Sequence, residues 1–384
     1  MIPHDLPPLP RPEPGRRWIN SSTSRRGWSR ISRYIKCPRY YAFNLEKSLK
    51  DAAARSDAAQ READGLEALP LDPSDEKRGT GKGSLGHEMQ SHYWARLGAC
   101  DNPVFVGMNE GTIRIDDPDE LYEPEDAAFM MAESVGTMHF LNDMRRTFRS
   151  WQADCSPAIF GEVVAIEVEM TLVLGYLNGQ YGLWLQEEPW FEGAQLSGRM
   201  VAPVGIESCP PDMINPIPLD AVGHPEHGQL ITLTRRIDLI MRQGNQLKFW
   251  DHKHIHPNYM NTQTSCRRYA VDGGFAAMVA IGVQAGEFNR EDGMMIHNIA
   301  RMEAPYSRPT RVETGAVICG ARVLNDLPAL VERNEHAMAR DYLAAGANKT
   351  FDPFRYEGRH HEASACVGHY GNNDECEHMS RCTF

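Results

Sequence analysis

Apolar residues recur close to every second position along Val163, Val164, Ile166, Val168 and Met170, and this period predicts a strand over 162–174. Two further strands are expected at 229–241 and 247–253, joined by the short turn Gln243-Gly244-Asn245. Helical spacing takes over elsewhere. A helix is expected to open at Gly83-Ser84-Leu85-Gly86-His87 and run through Leu97, and an amphipathic, Met-rich one to span 126–152 after the acidic loop 116–126. A helix over 269–286, a strand over 293–300 and a helix over 323–344 complete the pattern. Near the start, Ile31, Tyr34, Ile35 and Tyr41 fall at roughly helical spacing and are interrupted by Cys37-Pro38, which predicts two short helical turns. The proline-rich stretch 3–14 should be extended, and 51–83 reads as a charged helix and linker. The Gly- and Pro-rich stretch 175–229 is too long for a bare loop and reads as an insertion carrying a hairpin or small subdomain. No internal repeat is visible.

Composition narrows the class. With 384 residues, 41% hydrophobic and 24% charged, the chain can build one large domain or two modest ones. No apolar run reaches the roughly 18 residues of a membrane span, and Met1-Ile2-Pro3-His4-Asp5 lacks the layout of a signal peptide, so a cytoplasmic, membrane-free protein is expected. Nine cysteines in such a compartment point to thiols, metal ligands or cluster ligands rather than disulfides. Cys100, Cys155, Cys209, Cys266 and Cys319 are scattered singly and are expected to be small buried hydrophobes, whereas Cys366, Cys376 and Cys382 crowd the end of the chain.

Charge is unevenly spread. The net charge of −12 argues against indiscriminate coating of nucleic acid, yet residues 1–50 hold eleven lysines and arginines against three acids, a balance of +8. Trp18, Trp28, Tyr34, Tyr40 and Tyr41 are interleaved there, a combination that could hold phosphates and stack unpaired bases. The other reading is a solvated arm over 1–26, with the folded domain starting at 27.

Chemistry concentrates on the paired strands. If they are antiparallel neighbours, Asp238, Asp251 and Lys253 can meet in one pocket, and strand period puts Asp251 and Lys253 on one face. Such a pocket suits phosphodiester hydrolysis. Asp238 and Asp251 would hold Mg²⁺ or Mn²⁺, while Lys253 would orient a water, stabilise the transition state or, with a depressed pKa, act as base. Taken on spacing alone, Asp251 and Lys253 read equally as a surface ion pair at a strand end.

Asp238, twelve intervening residues and Asp251-His252-Lys253 resemble the core motif of PD-(D/E)XK nucleases. Gly83 to His87 resembles the helix-borne histidine of RecB-like members, and Val163-Val164-Ala165-Ile166-Glu167-Val168-Glu169 resembles the strand before the motif. Ser29 to Tyr41, with Cys37, resembles the family's opening segment, and Cys366, Cys376 and Cys382 its closing triplet. The resemblance implies an α/β fold, with a mixed central β-sheet flanked by helices as a restriction-endonuclease-like core and the two ends of the chain joined at a metal cluster. It implies a single domain over 27–384 and an exonuclease in DNA repair, recombination or phage DNA processing. The metal site would comprise His87, Asp238 and Asp251, with Lys253 beside it. The partner would be DNA, single-stranded or with free ends, alongside a helicase, recombinase or other DNA-processing protein.

Departures from the family pattern are specific. Arg235 or Arg236 stands where a glycine usually precedes the motif Asp, and the triplet begins with Asp251 rather than Glu. For the family's Gln-X-X-X-Tyr motif, Gly274 and Met278 hold the matching positions, while Gln263 and Tyr269 have the right types at the wrong spacing. Four thiolates, from Cys37, Cys366, Cys376 and Cys382, suffice for a 4Fe-4S cluster or a tetrahedral Zn²⁺; the family favours iron, and neighbouring His360, His361, His369 and His378 leave structural zinc open. Two other functional readings stand beside the nuclease: a non-catalytic nucleic-acid-binding scaffold that keeps the fold and cluster, and a zinc-stapled metabolic enzyme.

Overall fold

A computed structural model describes residues 6–12, 15–19, 27–38, 41, 81–108, 111–154, 161–177, 180–183, 185–186, 200–201, 230–284, 288–302 and 310–344. Its helices are α1 (Trp28–Lys36), α2 (Gly81–Asp101), α3 (Pro124–Ser134), α4 (Met138–Asp154), α5 (Thr262–Tyr269), α6 (Gly273–Gln284) and α7 (Ala321–Ala344). Its strands are β1 (Val104–Met108), β2 (Gly111–Ile115), β3 (Glu162–Leu177), β4 (Gln180–Leu183), β5 (Leu185–Gln186), β6 (Met200–Val201), β7 (Leu230–Gln243), β8 (Gln246–Ile255), β9 (Met294–Ala300) and β10 (Val312–Val317). The fold is α/β. One mixed, open sheet runs β10-β9-β8-β7-β3-β1-β2, with β4 folded back on the far end of β3. The β1–β3 and β8–β9 pairs are parallel and the others antiparallel.

Helices cover both faces of this sheet. Trp28, Ile31 and Tyr34 of α1, Phe275 and Val279 of α6 and Leu327 and Val331 of α7 bury one face against Leu233, Ile237 and Phe249. The other face packs Leu85, Met89 and Trp94 of α2, Ala128 of α3 and Phe148 and Trp151 of α4 against Ile166, Leu239 and Trp250. Burial on both faces explains why β3 and β7 carry apolar residues on both sides: Ala165 and Ile240 pack into one core, Ile166 and Leu239 into the other.

Several expected elements divide or shift. The helix anticipated over 126–152 is two, because Gly136 takes φ 69° and Thr137 N donates back to Ala132 O at 2.9 Å, closing α3 before α4 begins. The helix anticipated from Tyr269 starts only at Gly273; Asp272 Oδ1 accepts from Gly274 N at 2.8 Å and Phe275 N at 3.2 Å, capping α6 and separating it from α5. Strands β1, β2 and β10 had no expectation. Ile35, placed on the apolar stripe of α1, is 49% exposed. Of the scattered cysteines, Cys319 is buried, Cys266 is half-buried and Cys100 is exposed; Cys155 and Cys209 lie outside the described residues.

The basic N-terminal segment lies against the body where it is described. Leu6 and Ile19 are buried, Arg17 bridges Leu121, and Trp18 Nε1 donates to Glu88 of α2. Arg11, Arg16 and Arg17 pair with Glu133, Glu123 and Glu120, so these three cations face the protein's own acids. Among the described residues no helix is long and apolar enough to cross a membrane.

Candidate metal centre

The sheet forks where its acids lie. Antiparallel pairing of β7 with β8 ends at Leu239↔Trp250, and the next residues outward are Asp238 and Asp251. From there β8 continues on β9, from Trp250↔Met295 to Ile255↔Ala300, while β7 stays on β3. On the β3 side, the rungs Ile166↔Leu239 and Val168↔Ile237 flank Glu167 and Asp238, which therefore stand opposite one another. Three neighbouring strands thus present Glu167, Asp238 and Asp251 at one level of the sheet.

Local backbone geometry makes this possible. Residues two apart on a regular strand share a face, yet Ile166 and Val168 pack into opposite cores, and so do Ile237 and Leu239. Both strands turn over at the carboxylate. At Glu167 the turn is carried by φ 53°, an uncommon left-handed value for a residue other than glycine, just beyond a register shift between Val163 and Ala165. Gly107 of β1 lets the kinked backbone approach, since a Cβ there would lie 2.0 Å from Glu167 O.

Helix α2 supplies the imidazole. His87 Nε2 is 2.6 Å from Glu167 Oε1, and Nδ1 is 3.8 Å from Asp238 Oδ2. One turn later Ser91 Oγ donates to Glu167 Oε1 at 2.9 Å. Asp238 Oδ2 accepts from His252 N at 2.8 Å, which ties it to the backbone of β8. Ligand atoms of His87, Glu167 and Asp238 all lie within 4.8 Å of one another, close enough to share a cation. Asp251, 5% exposed, is held by Lys253 Nζ at 2.7 and 2.9 Å.

Crowding and burial raise the pKa values of Glu167 and Asp238. Burial, followed by the charge of Asp238, holds Glu167 well above the usual carboxylate range; burial and then the charge of Asp251 raise Asp238. Burial pulls Lys253 down, but the charges of Asp251 and Asp238 and the hydrogen bond to Asp251 outweigh it, so its pKa rises. That corrects the reading of Lys253 as a base with a depressed pKa: it is a fixed cation. On the opposite side of β8, burial keeps His252 neutral and pushes His254 down to about 3, and on β9 His297 to about 4. His254 Nε2 meets Gln90 Oε1 at 3.0 Å, and His297 Nε2 accepts from Trp151 Nε1 at 3.2 Å.

Of the residues singled out from sequence, His87 and Asp238 therefore meet, with Asp251 and Lys253 on the adjoining strand. Cys37 is buried at the end of α1, while Cys366, Cys376 and Cys382 lie outside the described residues. Gly274 lies under Trp28, and a Cβ there would be 2.9 Å from Trp28 Cδ1. Glu167 escaped the sequence reading, although an acid inside the apolar run Val163 to Val168 is the signal that marks it. No family model, curated protein or solved structure matches the chain.

Proposed function

We propose that this protein is a metal-dependent DNA nuclease on a restriction-endonuclease-like core, related to the RecB-like members of the PD-(D/E)XK group, and that it acts as an exonuclease. The observation that carries the reading is the convergence of His87, Glu167 and Asp238 at the fork of β7 and β8, with Asp251 and Lys253 following on β8. One imidazole and three carboxylates make an oxygen-rich set that fits Mg²⁺ or Mn²⁺. A bound ion of this kind supplies an acidified water and offsets charge on the phosphorane. His87, Glu167, Asp238 and Asp251 would hold it. Lys253, anchored by Asp251, places a permanent positive charge where the transition state gathers negative charge.

A 4Fe-4S cluster on Cys37, Cys366, Cys376 and Cys382 is part of the same proposal, with structural Zn²⁺ the competing occupant. Its support is that Arg30 of α1 pairs with Glu335 of α7, bringing the segment with Cys37 beside the last described helix.

The test is Mg²⁺- or Mn²⁺-dependent digestion of end-labelled single- and double-stranded DNA, with Asp251→Ala and Lys253→Ala in parallel. Cleavage by wild type that falls about 10²-fold or more in each variant is the expected outcome. DNA binding without cleavage by the wild-type protein would favour the scaffold reading instead.

A further inference from the structure

Arg235 has no role in the metal centre described above, yet its position is unusual. It lies on β7 between Leu233 and Ile237, two residues that face the core under α1, α6 and α7, so strand period puts its side chain on that side of the fork. Beyond Leu239↔Trp250 no β8 rung covers this part of β7. The other cations of the fork have oxygen partners. Lys253 holds Asp251 at 2.7 Å, and Arg236 donates to Glu167 O at 3.0 Å with Glu169 at 4.0 Å. Arg235 instead meets a soft acceptor, Met278 Sδ at 3.9 Å, and its Nε is sealed from solvent with no hydrogen-bond partner among the described residues.

Arg235 is half-buried, and a buried Nε without a partner leaves part of its desolvation cost unrecovered. Guanidinium forks recover it most effectively from carboxylate or phosphate oxygens, through two parallel charge-assisted hydrogen bonds. Asp251, Asp272 and Asp238 lie near enough to act on its charge, so long-range balance is the competing role. None of the three supplies a hydrogen bond.

Resting on the nuclease reading, we propose that Arg235 is a phosphate-contacting residue: its guanidinium takes two oxygens of a backbone phosphate in the strand entering the fork. That contact fixes the register of the strand against the carboxylates. It acts on binding and not on the hydrolytic step.

The experiment measures binding of a short single-stranded thymidylate oligonucleotide to the full chain across a salt series, with Ca²⁺ in place of Mg²⁺, for wild type, Arg235→Gln and Arg235→Lys. Arg235→Gln should bind about tenfold or more weakly, with the slope of log K against log salt reduced by about 0.7. Without DNA it should unfold at the same temperature as wild type or higher, because a cation with no oxygen hydrogen-bond partner has been removed. Arg235→Lys should keep the slope yet bind more weakly than wild type, since an ammonium cannot form the fork. Wild-type affinity and slope in Arg235→Gln, with or without a lower unfolding temperature, would leave charge balance as the role and overturn the proposal. Should Arg235→Gln not fold, wild-type affinity in Arg235→Lys overturns it. Cleavage is scored separately in Mg²⁺: binding without cleavage by wild type strikes the nuclease reading and leaves the Arg235 result legible.

Discussion

Glu167 is 1% exposed and shares its level of the sheet with two more carboxylates, so ionising it without a cation is costly. The sign of the consequence follows from linkage. An acid whose pKa is raised on folding contributes stability below its ordinary value of 4.5, and that contribution is lost as pH rises toward the raised value. Within that window the loss is up to ~1.4 kcal/mol per pH unit for one group. His254 and His297, pushed down to about 3 and about 4, act oppositely: their contribution is complete above the ordinary 6.5 and is lost as pH falls through the acid range. Wild type in chelator is thus weakened from both sides. Glu167→Gln isolates one of them. In EDTA at pH 8 the variant should melt a few degrees above wild type, the gap shrinking as pH falls toward 4.5; added Mn²⁺ should raise the wild-type melting temperature and leave the variant's unchanged. Scanning calorimetry at several pH values reads both effects, and a variant that melts below wild type in EDTA at pH 8 would show that Glu167 stabilises the fold as an ionised group.

At the scale of elements, the centre depends on how closely β1 approaches β3. A Cβ on Gly107 would fall 2.0 Å from Glu167 O and 3.1 Å from Arg236 Nη1, so Gly107→Ala must push the kinked residue out of place. The expected cost is about 1–3 kcal/mol by urea unfolding, with Mn²⁺ affinity reduced in the same variant. Gly83, in the first turn of α2, has nothing within 4 Å of its would-be Cβ, so Gly83→Ala should be neutral or slightly stabilising and leave Mn²⁺ binding intact. Equal stability and affinity in Gly107→Ala would mean that β1 gives way freely. This dependence also explains what could be read from the sequence. The pair β7–β8 was legible because its turn, period and chemistry lie within 26 residues, and His87 because the helix around it is long. Strand β1 was not: its five residues pair with β2 across a two-residue connection, in a hairpin too short to show a clear period, and its place beside β3 rests on the parallel rungs Phe105↔Ala165 and Val106↔Ile166, some sixty positions away. The same distance hid Glu167. Its role comes from a kink and from standing opposite Asp238, neither of which leaves a periodic trace.

Across the whole molecule, α1, early in the chain, packs against α6 and α7, the last two described helices. Trp28 covers the start of α6, where a Cβ on Gly273 would lie 2.0 Å from its ring, and Arg30 reaches Glu335 of α7, 305 positions along the chain, with one of its two contacts at 2.8 Å. Glu335 has no side-chain exposure, so the pair is a fork-to-carboxylate clamp in the interior. Such a pair is sensitive to the loss of one partner far more than to the loss of both. Arg30→Ala leaves an isolated buried carboxylate and should cost about 3–5 kcal/mol, whereas Arg30→Met combined with Glu335→Leu should stay close to wild type. If a cluster joins Cys37 to the C-terminal cysteines, it closes the same seam, and the two ties reinforce one another. Arg30→Ala, purified anaerobically, should then hold less iron and sulfide than wild type, and the apolar double variant should recover both. Urea unfolding with iron and sulfide analysis on the same preparations separates the ideas: a large loss of stability with full iron content would make the clamp independent of the cluster, and a colourless wild type holding stoichiometric zinc would assign the seam to zinc.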